Sequence, residues 1–291
     1  MTDYMTEKLI QNLNLDFLQA TQPQPAAYLE QGQGVPLLML HGFMGSGKCW
    51  LPLMAQLQTQ MHSQIHSQIH CVALDLLGFG DSAKPDIQYN VAKEVEFVRQ
   101  FIQARHLEPC YLMGHSFGGW VAAAYALAYP TAVKGLILLA PAGIRDDSFA
   151  GRYDHLRPIL WQTPWVDWVL NGIKPFSNWF GQKETLEKIA WMRGELNSQP
   201  AARSFLVDRI RPEDAIDTVE KEIHRLQTPT LVITGDRDDT IPQWHSETYA
   251  NQIPNAQLVT LPEATHSLPQ NHSAELAAHI LPFLMARSLQ S

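Results

Sequence analysis

Short uninterrupted apolar runs recur along the chain, and each ends in glycine, proline or polar residues. Runs without polar alternation are typical of strands that are buried on both faces of a parallel sheet. Between them lie helix-like segments: residues 91–105 repeat apolar positions at helical spacing, 117–129 are alanine-rich and end at Pro130, and 272–289 close the chain. This alternation predicts an α/β fold with right-handed crossovers. The predicted strands are 35–40, 71–76, 111–114, 135–140, 230–234 and 257–261.

The alternation fails between residues 141 and 227, where no clear strand run occurs. Thr163-Pro164 is typical of a helix start, and Trp165 and Trp168 would share one face of that helix. We therefore predict a core domain of residues 1–140 and 228–291, with a helical cap at 141–227. Tryptophans of this insertion either pack it onto the core or line a substrate pocket. The candidates for substrate binding are Trp161, Trp165 and Trp168.

The composition is that of a packed globular protein, with 45% apolar and 17% charged residues. A net charge of −8 argues against nucleic-acid binding, which needs a basic surface. The N-terminal residues contain no apolar run of signal-peptide length, and no run approaches the roughly 18 apolar residues of a membrane span. Three cysteines without metal-type spacing, Cys49, Cys71 and Cys110, indicate reduced thiols and a cytoplasmic protein.

A local repeat places His62, His66 and His70 four residues apart, so that on a helix they would share one face. Metal binding there is disfavoured because no carboxylate or other supporting partner accompanies them. A lengthened loop or helix end accounts for the run better. We therefore predict no metal and no cofactor.

The segment Gly114-His-Ser-Phe-Gly118 matches the pattern G-x-S-x-G, between an apolar strand and an alanine-rich helix. A serine on such a tight turn projects its hydroxyl from the carboxyl edge of the sheet, and side chains at the flanking glycines would collide there. Ser116 is therefore the predicted nucleophile. The backbone N–H of Phe117 would lie at a helix N-terminus, where an oxyanion is favoured.

A nucleophilic serine needs a base, and His266 lies in the loop between the last predicted strand and the last helix. The acid that orients it should follow the preceding strand, where three aspartates compete. Asp238 has the best register, and Asp236 and Asp239 remain alternatives, with Asp146 or Asp147 earlier in the chain a minor one.

The second oxyanion donor is expected in the loop after the strand at 35–40, which begins His41-Gly42-Phe43. The N–H of Phe43 is the natural donor, and His41 is expected to brace the loop.

Together these residues resemble the α/β-hydrolase superfamily. The matching segments are HGF (41–43), DLLGFGDS (75–82), GHSFGG (114–119), GDRDDTIP (235–242) and the His266 loop. The resemblance implies a mostly parallel, eight-stranded sheet with helices on both faces and a helical cap inserted after the sixth strand. It also implies that Gly78, Gly80 and Ser82 shape a loop near the active site and are structural.

A serine nucleophile separates the chain from the dehalogenases and common epoxide hydrolases of this superfamily, which use aspartate. Carboxylesterases, carbon–carbon bond hydrolases of aromatic degradation and cofactor-free perhydrolases remain. The segment HGFMGS followed by Trp50 also resembles the menaquinone-pathway synthase branch, which runs a lyase-like reaction. We predict an esterase that acts on a small, largely apolar substrate through an acyl-enzyme; neither the substrate nor the oligomeric state follows from the sequence.

Two other classes of protein are alternatives to an esterase: a nucleotide hydrolase and a ligand receptor. The segment 42–48 fits the nucleotide-binding pattern G-x-x-x-x-G-K, but the next residue is Cys49 where Mg²⁺ needs a hydroxyl ligand. A non-catalytic ligand receptor with the same fold is the third reading, and the complete triad counts against it.

Overall fold

The computed structural model of the chain describes residues 6–13, 24–61, 68–147, 164–173, 183–208 and 217–288. Eight strands form one sheet in the order β1-β2-β4-β3-β5-β6-β7-β8. Their bounds are β1 Thr6–Leu13, β2 Gln24–Gln31, β3 Val35–Leu40, β4 Ile69–Leu74, β5 Cys110–His115, β6 Val133–Leu139, β7 Thr230–Gly235 and β8 Ala256–Leu261.

The sheet is mostly parallel. β1 pairs antiparallel with β2, β2 pairs antiparallel with β4, and the remaining neighbours run parallel. The central strands are covered on both faces, as their continuous apolar sequences predict. The α/β fold class expected from the sequence is confirmed.

Helices alternate with the strands and cover both faces. Their bounds are α1 Leu51–Met61, α2 Val91–Ala104, α3 Phe117–Ala128, α4 Pro164–Ile173, α5 Lys183–Ser198, α6 Pro200–Asp208, α7 Gln243–Gln252, α8 Leu268–Asn271 and α9 Ser273–Ser288. Short 3-10 helices occur at Gly47–Trp50, Pro130–Ala132 and Ile223–Arg225.

Two hydrophobic cores lie on opposite faces of the sheet because successive side chains of a strand point to opposite sides. In β3, Leu38 and Leu40 join the core that includes α2 and α3, whereas Leu37 and Met39 join the core that includes α1 and α9. All four of these side chains are fully buried. Because a hydrophobic core packs on each face of the sheet, the carboxyl ends of the parallel strands are held side by side along one edge.

The strand β4 ends at Leu74, two residues before the end expected from the apolar run. The backbone N–H of Asp75 still donates to the carbonyl of Ala27 in β2, and its carboxylate accepts hydrogen bonds from the backbone N–H groups of Gly47 and Asp81, at 2.6 and 2.7 Å. The N–H of Leu76 donates instead to the ring of His41. The turn after β4 is thus fixed by polar contacts that an apolar run does not reveal.

Between residues 141 and 227 the described residues contain helices and no strand, in the segments α4, α5, α6 and the short 3-10 helix. Helix α6 packs on the core, with Ala201 and Ala202 fully buried. The division into a core and a cap with the boundaries given above stays a prediction. Among the described helices, none combines the length and the apolar character needed to cross a bilayer.

Candidate active site

Ser116 occupies the sharp turn between β5 and α3. Its backbone has φ 54° and ψ −117°, in the region that favours glycine. The neighbouring glycines allow the turn to close, since a Cβ on Gly114 would overlap the carbonyl oxygen of Gly118, and a Cβ on Gly118 would overlap that of Leu40. The glycines of the motif are therefore required by close backbone approach.

The structure brings Ser116, His266 and Asp238 together. The ring nitrogen Nε2 of His266 lies 3.0 Å from Oγ of Ser116, and its Nδ1 lies 2.7 Å from Oδ2 of Asp238. All three residues lie at the carboxyl edge of the sheet because each follows a parallel strand: Ser116 follows β5, Asp238 follows β7 and His266 follows β8. A proton on Nδ1 donates to the carboxylate, so that Nε2 is free to accept the serine hydroxyl proton.

Asp238 is the aspartate of its loop that meets His266. Its side chain is fully covered, and its second oxygen accepts from the N–H groups of Thr240 and Ile241, both at 2.9 Å. Burial alone would raise the pKa of this carboxyl group, but the hydrogen bond and charge of His266, with the two backbone donors, outweigh it and lower the pKa. The neighbours Asp236 and Asp239 are exposed.

The earlier alternatives for the acid have other partners. Asp146 lies 3.1 Å from Nε2 of His245, a buried histidine at the start of α7, and Asp147 pairs with Arg145 at the surface. Burial lowers the pKa of His245 despite the neighbouring carboxylate. This second histidine–aspartate pair joins the segment after β6 to α7, and the sequence reasoning missed it.

His115 was also missed, although it directly precedes the nucleophile. Its Nε2–H donates to the backbone carbonyl of His266 at 2.8 Å, and the two rings lie 4.8 Å apart between centroids. Burial, assisted by the nearby imidazole of His266, lowers the pKa of His115 to about 3. His115 therefore stays neutral, and it supports the loop that carries His266.

Of the two predicted oxyanion donors, Phe43 lies in the loop after the carboxyl end of β3, and Phe117 lies at the N-terminus of α3. Phe117 is the first residue of α3, where a backbone N–H has no partner within the helix. The carbonyl of Gly42 accepts from Nδ1–H of His41 at 2.8 Å and from the N–H of Gly45 at 3.0 Å. Because a trans peptide points its N–H away from its C=O, these bonds direct the N–H of Phe43 to the opposite side.

The hydrogen bonds of His41 define its protonation. Its Nε2 accepts from the N–H of Leu76 at 3.0 Å, so the single proton of the neutral ring is on Nδ1. Burial lowers the pKa of His41, against the opposing effects of Asp75 and the Gly42 carbonyl. A neutral His41 thus braces the loop, as expected from its place in the sequence.

The loop after β4 supports this arrangement without entering it. Ser82 donates to the carbonyl of Asp75 at 2.6 Å and accepts from the N–H of Ala27 at 2.9 Å. Gly78 and Gly80 have positive φ values of 79° and 50°. These contacts are structural, in keeping with the family resemblance.

Two of the three tryptophans predicted to bind substrate lie on α4. Trp165 and Trp168 on α4 have their rings 5.7 Å apart and are 69% and 66% exposed. They form an open aromatic face, so their role in substrate binding stays a prediction. Trp161, His62 and His66 lie outside the described residues, and His70 lies 3.7 Å from a carboxylate oxygen of Glu30.

Fold and geometry together define an α/β protein with a serine, histidine and aspartate at the carboxyl edge of its sheet. The family model described as "Alpha/beta hydrolase family" matches residues 37–279. The chain therefore belongs to the alpha/beta hydrolase family, and it is a hydrolase.

Two curated relatives and one solved structure illustrate the range of similar proteins. The chain is 30% identical over 265 residues to a 2-hydroxymuconate semialdehyde hydrolase of Pseudomonas sp. (strain CF600), covering 88% of each chain. It is 26% identical to Lipase 3 of Moraxella sp. (strain TA144), covering 90% of this chain and 83% of the lipase. A bacterial membrane phospholipase A shares the fold, with TM-score 0.71, 24% identity and coverage of 98% and 87%.

Proposed function

We propose that the protein is a carboxylic ester hydrolase in which Ser116 is the nucleophile, His266 the general base and Asp238 the orienting acid. The observation that carries the proposal is the continuous hydrogen-bond chain of 3.0 and 2.7 Å that joins the serine hydroxyl, the imidazole and the carboxylate. Each distance is within hydrogen-bond range, and a base must be within that range of the proton it removes.

The geometry supports the following sequence of steps. The oxygen of Ser116 attacks the acyl carbon while its proton passes to Nε2 of His266. The N–H groups of Phe43 and Phe117 hold the oxyanion that forms. The imidazolium then protonates the leaving alcohol, and water, deprotonated by the same nitrogen, releases the acid from the acyl-enzyme. Asp238 stabilises the imidazolium at both stages.

His115 supports this sequence through its charge state. Its ring lies beside that of His266, and a second positive charge there would oppose formation of the imidazolium. Because burial lowers the pKa of His115 to about 3, only one of the two adjacent rings takes up a proton during turnover. The proton of the serine therefore passes to a ring with a neutral neighbour.

A carbon–carbon bond hydrolase is the second candidate, favoured by the similarity to 2-hydroxymuconate semialdehyde hydrolase. The same serine, base and oxyanion donors would serve this reaction, but the group that leaves is carbon and must itself be protonated. A vinylogous diketone therefore distinguishes the two candidates from one another, because an ester-specific site would leave it intact.

The test combines serine labelling with ester hydrolysis. We expect a fluorophosphonate probe to label wild-type protein, and Ser116→Ala to remove labelling and lower hydrolysis of p-nitrophenyl butyrate by about 10⁴-fold or more. Ser198→Ala, at an exposed serine on α5, is the matched control and should behave as wild type. Hydrolysis by Ser116→Ala at near the wild-type rate would refute the proposal.

A further inference from the structure

A cluster of aromatic rings surrounds the two residues that supply the oxyanion donors. The ring of Phe117 lies 4.9 Å from that of Phe205 and 6.1 Å from that of Phe43, between centroids. The rings of Phe43 and Phe205 are 6.5 Å apart between centroids and nearly perpendicular. Phe205 comes from α6, far along the chain, and it contacts both donor residues.

Helix α6 is held against the core at the loop after β4. Ala201, Ser204 and Phe205 are spaced to lie on one face of the helix. A Cβ on Gly78 would come within 2.5 Å of the Cβ of Ala201, so the helix packs where Gly78 has no side chain. The N–H of Tyr89 donates to the hydroxyl of Ser204 at 3.1 Å. These contacts fix the position of the neighbouring Phe205.

The cluster has a buried side and an open side. Phe79 and Phe117 are buried, at 0% and 4% exposure, and belong to the hydrophobic core. Phe43 and Phe205 pack against that core but remain partly exposed. Because both rings contact Phe117, whose N–H is a proposed oxyanion donor, they are the accessible part of the cluster nearest in contact to that residue.

We infer that Phe205 determines specificity by forming the wall that limits the bulk of the acyl group next to its carbonyl carbon. The inference rests on the proposed ester hydrolysis at Ser116 and adds the substrate class, which is apolar esters with a slender acyl group. The wall is rigid because α6 is held by Ala201 and Ser204.

The test compares a slender and a bulky acyl group in Phe205→Ala and Phe205→Leu. We expect the ratio of kcat/KM for p-nitrophenyl benzoate to that for p-nitrophenyl acetate to rise about 10-fold or more in Phe205→Ala, and less in Phe205→Leu. Leu258→Ala, which shortens an exposed apolar side chain of β8, should leave the ratio unchanged. An unchanged ratio in folded Phe205→Ala would overturn the inference.

A second readout separates this inference from the proposed function. Methanesulfonyl fluoride and phenylmethanesulfonyl fluoride both react with an activated serine, and the second carries the bulkier group. Without ester turnover in the wild type, the ester proposal fails, whereas a selective gain of Phe205→Ala toward the bulkier reagent still supports the wall. If Phe205→Ala does not fold, a smaller selective gain toward the bulkier reagent is required of Phe205→Leu, and its absence overturns the inference.

Discussion

Replacement of His41 by glutamine or by asparagine separates the two hydrogen bonds that its imidazole makes. Glutamine can place its amide oxygen near the position of Nε2 and keep an acceptor for the N–H of Leu76. Asparagine can place its amide N–H near Nδ1 and keep a donor for the carbonyl of Gly42. His41→Gln therefore loses the hydrogen bond to the Gly42 carbonyl, which belongs to the peptide that carries the Phe43 N–H. His41→Asn loses the hydrogen bond from the N–H of Leu76, which is not part of that peptide.

The expected losses of kcat and of stability follow from the hydrogen bond that each His41 variant removes. Complete loss of an oxyanion donor lowers kcat by roughly 10²–10³-fold, which is the upper bound for His41→Gln. The N–H of Gly45 still holds the carbonyl of Gly42, so we expect a smaller fall of about 5-fold, equivalent to one hydrogen bond of about 1 kcal/mol. His41→Asn leaves the buried N–H of Leu76 unpaired, which lowers the free energy of unfolding by about 1–3 kcal/mol.

The assay measures kcat and KM for p-nitrophenyl butyrate together with urea unfolding of each variant. The effect of His41→Gln should fall on kcat with little change in KM, because the oxyanion forms only in the transition state. His41→Asn should lose less kcat and more stability than His41→Gln. His279→Gln, at an exposed histidine of α9, is the control. Equal losses of kcat in the two variants, or a kcat within twofold of wild type in His41→Gln, would refute the reasoning.

Three further substitutions test groups described above. Asp238→Asn should lower kcat by about 10⁴-fold at unchanged melting temperature, because the amide donates to His266 and moves the ring proton to the nitrogen that faces the serine. His115 has a pKa of about 3 when folded and 6.5 when unfolded, so wild-type protein loses stability as pH falls below 6.5. His115→Gln removes this titration. The decline in its free energy of unfolding should therefore be shallower by about 1 kcal/mol per pH unit between pH 6.5 and 4. Burial raises the pKa of Glu94 well above its usual value, so its contribution is present in acid and is lost as pH rises. Glu94→Gln, which keeps an acceptor for the N–H of Leu77, should therefore gain stability relative to wild type between pH 4.5 and 8 in urea titrations.

The central sheet could be predicted because its strands are buried on both faces and therefore read as apolar runs. The strands β1 and β2 could not, since TEKLIQNL and QPAAYLEQ mix polar and apolar residues, as antiparallel strands near an edge do. The position of Ser116 followed from local glycine chemistry, and those of Asp238 and His266 followed from the strand order.

The supporting residues could not be predicted in the same way. The contact of His115 with His266 joins a side chain to a backbone carbonyl 151 residues away and leaves no periodic pattern. The place of Phe205 depends on how α6 packs against Gly78, which no motif reports. Tryptophan content pointed instead to α4, where Trp165 and Trp168 are exposed. The role of these two side chains in substrate binding stays a prediction.

The backbone of Ser116 has a consequence for engineering of this protein. A residue other than glycine with φ near 54° raises the energy of the native state, typically by about 1–3 kcal/mol, and the rest of the fold must compensate for it. The sequence of greatest thermal resistance for this backbone is thus not the one that performs the reaction. Selection for heat tolerance alone would favour glycine at position 116, and a screen for improved variants has to measure turnover alongside melting.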